Sequence, residues 1–541
     1  MNPLDVARSL RADPVAAARY RAAGYWSDDT LSSRIAALAT ARPHDAAFIT
    51  PEGKVDWCTY DAAAMRIAAE LAARALPAGA RVAVLLPDGA AVHAAFVGIE
   101  RAGLVAVGLG LRAGIAEIVH LLRKTGATML VTHAQLRDRT AAALLGEIAD
   151  QGLTAPELLI VPDLLAEPDW AHGASPVHPP LPQPDPDALF LINSTSGTTG
   201  MPKCVMHTQN RWYYFHTLAA AAGRFGPDEV FLSAIPAPFG FGLWTAHFSP
   251  TILGVSTVLL PRFDAGLALD MIERERVTVL CCVSTQFIMM LNEQAERPRD
   301  LSSLKSMFTG GEAVPYRRAA EFEEVTGAAV LQFYGSNETG ALSNTTSKDT
   351  RERRLTSAGR IIPEMEVRLF DPATMAEVVG RGQPACRGPA TCLGYWNDDA
   401  ANEKLFTADG WMLMGDIVEI DEDDYLRVVG RTSEFIIRGG KNLSAPAIEA
   451  EVATHPGVAL CAAVPAPDAV FGERVCIYVS PRPNQSPTLE DITRHLSERG
   501  VTREWFPEYL VTMDELPRSS GGKVAKAALA EDAKRRWAVE A

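Results

Sequence analysis

Apolar and polar residues follow two alternating patterns over the first quarter of the chain. Helical spacing of apolar residues is found in residues 60–77, 91–103 and 115–126. Short continuous apolar runs are found in residues 81–87, 104–109 and 127–133. The first pattern is typical of an amphipathic helix, and the second is typical of a strand buried on both faces. Their alternation predicts an α/β fold in which helices cover a parallel sheet.

Two breaks divide the chain of 541 residues, which is too long for a single hydrophobic core. The proline-rich residues 173–187 predict a loop between subdomains. The second break follows the strand-like residues 426–431, because the remaining segment has strand-like and helical stretches of its own. We predict a large N-terminal domain of parallel-sheet subdomains at 1–431 and a small α+β domain at 432–541.

Net charge, apolar runs and cysteine spacing indicate which partners and which cellular compartment are expected. Lys plus Arg number 51 against 66 Asp plus Glu, and the formal charge of −15 argues against binding nucleic acid or an anionic membrane. No membrane span and no secretory signal are predicted, since long apolar runs are lacking. The eight cysteines form no CxxC pair, which predicts reduced thiols in a cytoplasmic protein.

A small polar loop, STSGTTGMPKC at 194–204, follows a predicted strand at 188–193 and precedes a predicted helix at 209–225. Its glycines free backbone N–H groups, its hydroxyls add donors, and Lys203 adds a positive charge, so it can hold a polyphosphate. A P-loop requires glycine before the lysine and a hydroxyl after it, whereas Pro202 and Cys204 stand there. The segment therefore predicts a phosphate-binding loop of another kind.

Residues 195–203 closely resemble the signature loop of the adenylate-forming superfamily, which includes acyl-CoA synthetases, peptide-synthetase adenylation domains and luciferases. Further segments resemble the other motifs of that superfamily, in its order, and together they span nearly the whole chain. They are residues 308–315 (FTGGEAVP), 333–340 (FYGSNETG), 394–406, 409–431, 436–452 and 516–526 (LPRSSGGKVAK).

The resemblance implies an ATP-dependent carboxylic acid–CoA ligase. Such an enzyme joins a carboxylate to AMP, releases pyrophosphate and then transfers the acyl group to CoA, with ATP, Mg²⁺ and CoA as cofactors. It also implies that the small C-terminal domain is mobile and that the protein is a monomer or a homodimer. Phe239, at the family's gate position, and its aromatic neighbours predict an apolar acid that is aromatic, alicyclic or medium-chain.

Roles for individual residues also come from the resemblance. The catalytic residues are Lys523, Glu338 and Lys203, and Glu338 is the metal ligand. The ATP- or AMP-binding residues are Thr195, Ser196, Gly197, Thr198, Thr199, Gly200, Lys203, Gly311, Glu312, Ala313, Tyr334, Asn337, Asp416, Arg431 and Lys523. The acyl-pocket residues are Phe239, Phe241, Trp244, Phe333 and Gly335, the CoA-binding residues are Arg438, Gly439, Gly440 and Lys441, and the hinge is Ser433.

Three of these residues depart from the family pattern. Asn337 stands where threonine is usual, although its amide can still donate to the α-phosphate. Ser433 stands at the hinge, where aspartate or lysine is usual. Lys441 stands where glutamate is frequent, and it contacts a CoA phosphate or faces water. These departures leave open an inactive homologue that binds nucleotide or acyl groups. A second alternative changes only the acceptor: an adenylating enzyme that loads a carrier-protein thiol.

Overall fold

The computed structural model describes most of the chain. The described residues are 3–136, 139–173, 178–195, 201–311, 314–431, 435–439, 441–518 and 523–537, without the side chain of residue 442. Within these ranges no helix is long and apolar enough to cross a bilayer. All eight cysteines are free thiols, and seven of them are buried.

Nineteen α-helices are found among the described residues, and most of them lie in the first two thirds of the chain. The α-helices are α1 Pro3–Ser9, α2 Pro14–Ala22, α3 Leu31–Ala41, α4 Trp57–Ala72, α5 Ala90–Arg101, α6 Ile115–Thr125, α7 Ala141–Asp150, α8 Pro168–His172, α9 Gln209–Gly223, α10 Gly240–Gly242, α11 Ser249–Leu253, α12 Ala265–Glu275, α13 Ser284–Glu296, α14 Tyr316–Thr326, α15 Arg351–Thr356, α16 Asp399–Leu405, α17 Ala445–Val452, α18 Leu489–Glu498 and α19 Lys526–Arg536. A π-helix at Leu243–Phe248 and two 3₁₀ turns at Pro363–Met365 and Arg503–Trp505 complete the helical segments of the described residues.

The strands are short and mostly buried. They are β1 Ala46–Ile49, β2 Lys54–Asp56, β3 Arg81–Leu85, β4 Val105–Gly108, β5 Met129–Thr132, β6 Glu157–Ile160, β7 Leu191–Ser194, β8 Cys204–His207, β9 Val230–Ser233, β10 Ser256–Leu259, β11 Val279–Cys281, β12 Ser306–Gly310, β13 Ala329–Ser336, β14 Gly340–Asn344, β15 Arg360–Ile361, β16 Val367–Phe370, β17 Glu377–Val378, β18 Arg381–Cys386, β19 Met412–Leu413, β20 Asp416–Ile420, β21 Leu426–Arg431, β22 Phe435–Arg438, β23 Lys441–Ser444, β24 Val458–Asp468, β25 Gly472–Pro481 and β26 Tyr509–Thr512.

Two predominantly parallel sheets form the large N-terminal part. The first has the order β6-β5-β3-β4-β7-β8, and the second has the order β15-β14-β13-β12-β11-β9-β10-β1-β2. The antiparallel pairs lie at the edges, where β8 pairs with β7, β2 with β1, and β14 with both β13 and β15. The predicted α/β class is confirmed, and the predicted alternation of α4, β3, α5, β4, α6 and β5 supplies three of the six strands of the first sheet.

A smaller antiparallel sheet, which the sequence analysis did not predict, follows the second parallel sheet. Its order is β17-β16-β18-β20-β21, with β19 beside β18. Asp416 opens β20 and pairs in register with Arg431, the last residue of β21. The predicted domain boundary lies directly after this strand, at residues 432–434, which are outside the described ranges.

The C-terminal part has its own sheet and its own core. The sheet order is β23-β22-β25-β24, and β26 runs parallel to β25. One face packs against α17 and α18 through Ile448 and Ile492, and the other packs against α19 through Leu529. Thr488 caps α18: its hydroxyl oxygen accepts from the Asp491 N–H at 3.1 Å, and Asp491 Oδ2 accepts from the Thr488 N–H at 3.1 Å. A separate core on each face makes this part a small α+β domain, as predicted.

The segment after the small polar loop corrects one expectation. A helix was expected to follow the loop, but β8 comes first, and α9 begins at Gln209. The loop therefore connects two antiparallel strands, with Ser194 opposite Cys204. The reason is local: Cys204–His207 is fully buried, so its backbone groups require sheet partners, and β7 supplies them.

Candidate active site

The two ends of the phosphate loop are tied together. The Thr195 N–H donates to the Lys203 carbonyl at 3.0 Å, and the Lys203 N–H donates to the Thr195 hydroxyl oxygen at 3.2 Å. These bonds close the loop where it leaves β7 and enters β8. The other predicted phosphate-binding residues lie outside the described residues: Ser196, Gly197, Thr198, Thr199 and Gly200.

One tyrosine connects the predicted phosphate cation with the predicted metal ligand. The Lys203 ammonium lies 4.7 Å from the centroid of the Tyr395 ring, a cation–π contact. The Tyr395 hydroxyl donates to Glu338 Oε1 at 2.7 Å. Burial and the Glu338 carboxylate raise the pKa of Tyr395, so the phenol stays protonated and remains a donor. Lys203 and Glu338 are thus fixed relative to each other through a residue that the sequence analysis did not assign.

Glu338 has the chemistry that Mg²⁺ requires. Mg²⁺ prefers oxygen ligands and keeps several waters or phosphate oxygens, so a single protein carboxylate suffices beside a bound nucleotide. Within the described residues, no group of three or more His, Cys, Asp or Glu side chains forms a protein cage. The partly buried Glu338, held at one oxygen by Tyr395, fits a metal shared with substrate phosphates.

Asp416, Tyr334 and Arg431, which were predicted to bind ATP or AMP, form a hydrogen-bonded trio. Asp416 is 6% exposed. Its Oδ2 accepts from the Tyr334 hydroxyl at 2.8 Å, and its Oδ1 accepts from Arg431 Nε at 3.0 Å. Burial and the Asp416 carboxylate raise the pKa of Tyr334, which keeps its hydroxyl a donor. Each oxygen of Asp416 can accept a second bond, so the carboxylate is oriented and still able to bind a diol.

An irregularity in the pairing of β13 with β14 precedes Asn337 and Glu338. The ladder with β14 shifts register between Tyr334 and Gly335. A Cβ added to Gly335 would lie 1.7 Å from the Gly340 carbonyl oxygen, so only glycine fits there. Gly335 was predicted to line the acyl pocket. The close approach of β13 to the Gly340 backbone on β14 explains why position 335 is a glycine.

Lys523 reaches across from the C-terminal domain to Gly311, in the loop after β12 that the family resemblance assigns to the adenine side of the nucleotide. Its ammonium donates to the Gly311 carbonyl oxygen at 2.6 Å. Gly311 has a φ of +78°, and an added Cβ would lie 2.8 Å from the Lys523 nitrogen. The structure therefore brings together Lys523 and Gly311, two residues predicted to bind ATP. Their predicted neighbours Glu312 and Ala313 lie outside the described residues.

Three of the four predicted acyl-pocket aromatics, Phe241, Trp244 and Phe333, form one cluster. Trp244 is 3% exposed, whereas Phe239, Phe241 and Phe333 are partly buried. The Trp244 ring stacks on Phe241 at 5.5 Å and meets Phe333 edge-on at 5.7 Å. Trp244 lies in the π-helix, a type of segment that is frequent at functional sites. Its deep burial makes it part of the core beneath the predicted pocket, while Phe239 keeps exposed surface.

Asp88 and Asn193 fix the loop that carries Phe239. The Asp88 carboxylate accepts from the Ala237 N–H at 2.7 Å, and the Asn193 amide donates to the Pro238 carbonyl at 2.9 Å. Gly108, at the end of β4, lets Pro238 approach closely, because an added Cβ would lie 2.7 Å from the proline Cβ. The loop thus rests on the carboxyl ends of three neighbouring strands.

The predicted CoA-binding residues lie in the C-terminal domain, where they form ion pairs. Arg438 donates to Glu508 Oε1 through Nη2 at 2.6 Å and through Nε at 3.0 Å. Lys441 pairs with Glu504. Gly439, with a φ of +56°, turns the chain after β22. Gly440 and the predicted hinge Ser433 lie outside the described residues.

Sequence reasoning missed four polar residues at the centre of the site. They are Tyr395, Asn193, His207 and Arg211. Each lies within or beside a quoted motif, but each acts through a partner on another element, which spacing along the chain does not reveal. Asn193 offered the strongest signal, since an amide in an otherwise apolar strand directly before a polar loop requires buried partners.

Comparison with known proteins places the chain in a family. A model of the AMP-binding enzyme family matches residues 35–396, and a model of the AMP-binding enzyme C-terminal domain matches residues 447–523. The medium-chain fatty-acid–CoA ligase of Escherichia coli (strain K12) is 28% identical over 536 residues, covering 96% of this chain and 93% of that protein. The 2-hydroxy-7-methoxy-5-methyl-1-naphthoate–CoA ligase of Streptomyces carzinostaticus is 30% identical over 533 residues, covering 95% of each.

A solved structure agrees with these relatives. The crystal structure of ATP-bound MatB from Rhodopseudomonas palustris has a TM-score of 0.81 at 26% identity, and the match covers 94% of this chain and 99% of that chain. Agreement over nearly the full length of both chains includes both domains. The motifs, the fold and the matched family models together show that this chain belongs to the AMP-binding enzyme family, as its sequence predicts.

Proposed function

We propose that this chain is an ATP-dependent carboxylic acid–CoA ligase. It forms acyl-AMP and pyrophosphate from the acid and ATP, and then acyl-CoA and AMP. It is an acid–thiol ligase that uses ATP, Mg²⁺ and CoA. The observation that best supports this proposal is the Lys523–Gly311 contact of 2.6 Å, which brings a lysine of the C-terminal domain to the adenine-side loop of the N-terminal domain.

Adenylation requires positive charge and donors where two anions meet. A carboxylate attacks the α-phosphate only if their repulsion is offset, and preorganised cations and donors provide this. We assign Lys523 to the reacting oxygens, Lys203 to the leaving phosphates and Asn337 to the α-phosphate. Glu338 would hold Mg²⁺, which would supply positive charge to neutralise the phosphates.

Nucleotide recognition is assigned to the residues around Asp416. The carboxylate takes the ribose hydroxyls, because its two oxygens are already oriented by Tyr334 and Arg431. The Tyr334 ring and the loop at Gly311 flank the adenine. This arrangement holds the nucleoside while the α-phosphate faces the acid.

Thioester formation is assigned to a second domain arrangement. The small domain, which begins after residue 431, rotates about the hinge at Ser433. Lys523 would then leave the site, and Arg438, Gly439, Gly440 and Lys441, which would hold CoA, would approach it. The ion pairs of Arg438 and Lys441 with Glu508 and Glu504 open or rearrange in that step.

The acid is assigned to the apolar class. Phe241 stacks on the buried Trp244, and Phe239 is partly buried two residues earlier, so we assign an aromatic wall to the pocket. Such a wall favours an aromatic, alicyclic or medium-chain acid. A carrier protein as a second acceptor, a monomeric or homodimeric state and a cytoplasmic location stay predictions from the sequence.

The proposal is tested by ATP–pyrophosphate exchange with purified protein and a panel of acids. The panel contains benzoate and hydroxybenzoates, cyclohexanecarboxylate, short to long fatty acids and several amino acids. We expect Mg²⁺-dependent exchange with one cluster of apolar acids and none with the amino acids. Absence of exchange with every acid, despite MgATP binding, contradicts the proposal and favours the non-catalytic alternative.

A further inference from the structure

A chain of buried polar side chains runs from α9 to Asn337. Arg211 donates from Nη1 to His207 Nδ1 at 2.6 Å, and His207 Nε2 lies 2.7 Å from Asn193 Oδ1. Asn337 Nδ2 then donates to the same Asn193 oxygen at 2.7 Å. Arg211, His207 and Asn193 are each no more than 1% exposed. These hydrogen bonds therefore link the fully buried Arg211 guanidinium to Asn337, a residue of the candidate active site.

The direction of these bonds follows from chemistry. A guanidinium only donates, so His207 Nδ1 accepts and the ring proton lies on Nε2. Burial and the charge of Arg211 lower the pKa of His207, which keeps the imidazole neutral. Nε2–H then donates to Asn193, so the oxygen of that amide must face His207. The Asn193 nitrogen consequently faces the Pro238 carbonyl, at 2.9 Å.

The orientation of Asn193 fixes that of Asn337. Asn193 Oδ1 accepts from Asn337 Nδ2, and Asn193 Nδ2 donates to Asn337 Oδ1 at 3.3 Å. If the Asn337 amide were reversed, its nitrogen would face the Asn193 nitrogen and its oxygen would face the Asn193 oxygen. Neither pair could form a hydrogen bond. An added Cβ on Gly240 would lie 2.6 Å from Asn337 Oδ1, so the absence of a side chain at position 240 leaves room for the amide. The second N–H of Asn337 is left to donate to a ligand, and it has no partner among the described residues.

Arg211 also holds the backbone of the same loop. Its Nη1 donates to the Asn337 carbonyl at 2.9 Å, and its Nε donates to the Ala390 carbonyl at 2.8 Å. Burial lowers the pKa of Arg211 to about 10, so the guanidinium remains charged at neutral pH. One buried cation thus sets both the amide orientation and the backbone position of Asn337, next to Glu338.

We propose that Arg211, His207 and Asn193 are positioning residues that orient the Asn337 amide as a phosphate donor. The inference rests on the proposed function and concerns a departure from the family pattern. The threonine usual at this position carries a hydroxyl that rotates freely to donate, and it needs no such orientation. An amide has two unlike ends, and the chain of bonds from Arg211 selects the end that donates.

The test is a double-mutant cycle between Asn193→Ala and Asn337→Thr. MgATP affinity is measured by calorimetry and adenylation by pyrophosphate exchange. We expect Asn193→Ala to reduce both by about 10-fold in the natural sequence and by about 2-fold or less when combined with Asn337→Thr. Equal losses in the two backgrounds would overturn the inference.

A conservative pair and a matched control separate orientation from folding. We expect His207→Gln, whose amide can both accept from Arg211 and donate to Asn193, to retain most adenylation, and His207→Leu to lose about 10-fold. Asn210→Ala is the matched control, because it removes a buried asparagine that lies on α9 and donates to Asp187 instead of to the active-site residues. It should lower thermal stability without changing MgATP affinity when combined with Asn337→Thr. Equal adenylation by the two His207 variants would also overturn the inference.

The outcomes separate this inference from the proposed function. MgATP affinity reports the coupling even if no acid in the panel supports exchange. Coupling without exchange supports the inference and counts against the ligase assignment. Exchange without coupling leaves the ligase assignment standing and overturns the inference.

Discussion

The Tyr395 hydroxyl holds the carboxylate to which we assign Mg²⁺. Tyr395→Phe removes the donor to Glu338 but keeps the ring that faces Lys203. A hydrogen bond to a charged group contributes about 1.5–3 kcal/mol, so we expect the Mg²⁺ concentration at half-maximal adenylation to rise by about 10-fold or more. Pyrophosphate exchange at graded Mg²⁺ measures this change.

A second tyrosine provides the control. Tyr425 also donates to a carboxylate, that of Asp349, and it lies outside the candidate site. Tyr425→Phe should leave the Mg²⁺ dependence unchanged. If both variants shift it equally, or if neither does, the bond between Tyr395 and Glu338 has no specific role in metal binding.

Lys523 is assigned to adenylation alone. Lys523→Ala removes one preorganised cation, and we expect adenylation to slow by about 10²–10³-fold, as when a single oxyanion donor is lost. Thioester formation from preformed acyl-AMP should be nearly unaffected, because the proposed domain rotation removes Lys523 from the site in that step. Rapid-quench measurement of the two half-reactions tests this difference.

Lys534 serves as the matched control for Lys523. It is an exposed lysine of the same domain, paired with Glu531 on α19. Lys534→Ala should change neither half-reaction. An equal loss of both half-reactions in Lys523→Ala would contradict the assignment of Lys523 to one of two domain arrangements.

Single residues of the site could be predicted where a motif holds them in register. Thr195, Lys203, Glu338, Asp416 and Lys523 are of this kind, and their roles stay predictions that the experiments above test. Tyr395 could not be assigned, because its bond joins residues 57 positions apart in the sequence. Asn193 bonds a residue 144 positions away. Such partners are set by how the sheets pack, which local spacing does not encode.

At the scale of elements, Trp244 in the π-helix belongs to the core, whereas Phe239, just before α10, is assigned to the acyl pocket. Trp244→Ala empties a buried aromatic site among Phe215, Phe308 and Phe333, and we expect it to lower the free energy of unfolding by about 3–5 kcal/mol. Phe239→Ala removes a partly buried ring, so we expect a smaller loss and a shift of acid preference toward larger acids. Denaturant unfolding and exchange with the acid panel measure the two effects.

The contrast between these two positions is the informative result. Trp244→Ala should lower activity toward all acids together, since it weakens the supporting structure. A changed acid preference in Trp244→Ala with unchanged stability, or no change of preference in Phe239→Ala, would contradict the division between core and pocket.

Element types near the N-terminus followed from apolar patterning, but their pairing did not. The helices and strands from α4 to β5 lie where the pattern predicts them, because buried parallel strands and amphipathic helices have distinct periods. The third N-terminal sheet and the strand β8 were missed. The strands of that sheet and β8 are short. Burial and register, rather than the local sequence, determine which strands they pair with.

At the scale of the whole molecule, buried neutral histidines couple stability to pH. Burial and nearby Arg34 lower the pKa of His216 to about 4, against about 6.5 when unfolded. Below pH 6.5 the unfolded chain takes up a proton that the folded chain excludes. The contribution of His216 to stability is therefore fully present above about pH 6.5 and falls by about 1.4 kcal/mol per pH unit toward pH 4.

His216→Gln tests this linkage. Glutamine can keep a bond to the Ser249 hydroxyl but does not titrate. We expect the free energy of unfolding of the variant to fall by about 1 kcal/mol less than that of the natural protein between about pH 6 and pH 5. An unaltered pH dependence in His216→Gln would show that His216 titrates alike in both states.

The central claim concerns the whole molecule: the two domains form a thioester by way of an acyl adenylate. The most direct test is mass spectrometry of the products from ATP, Mg²⁺, CoA and an acid that supports exchange. The account predicts acyl-CoA, AMP and pyrophosphate in equal amounts, with acyl-AMP accumulating when CoA is omitted. ADP and phosphate in place of AMP and pyrophosphate, or acyl-AMP that is never passed to CoA, would contradict it.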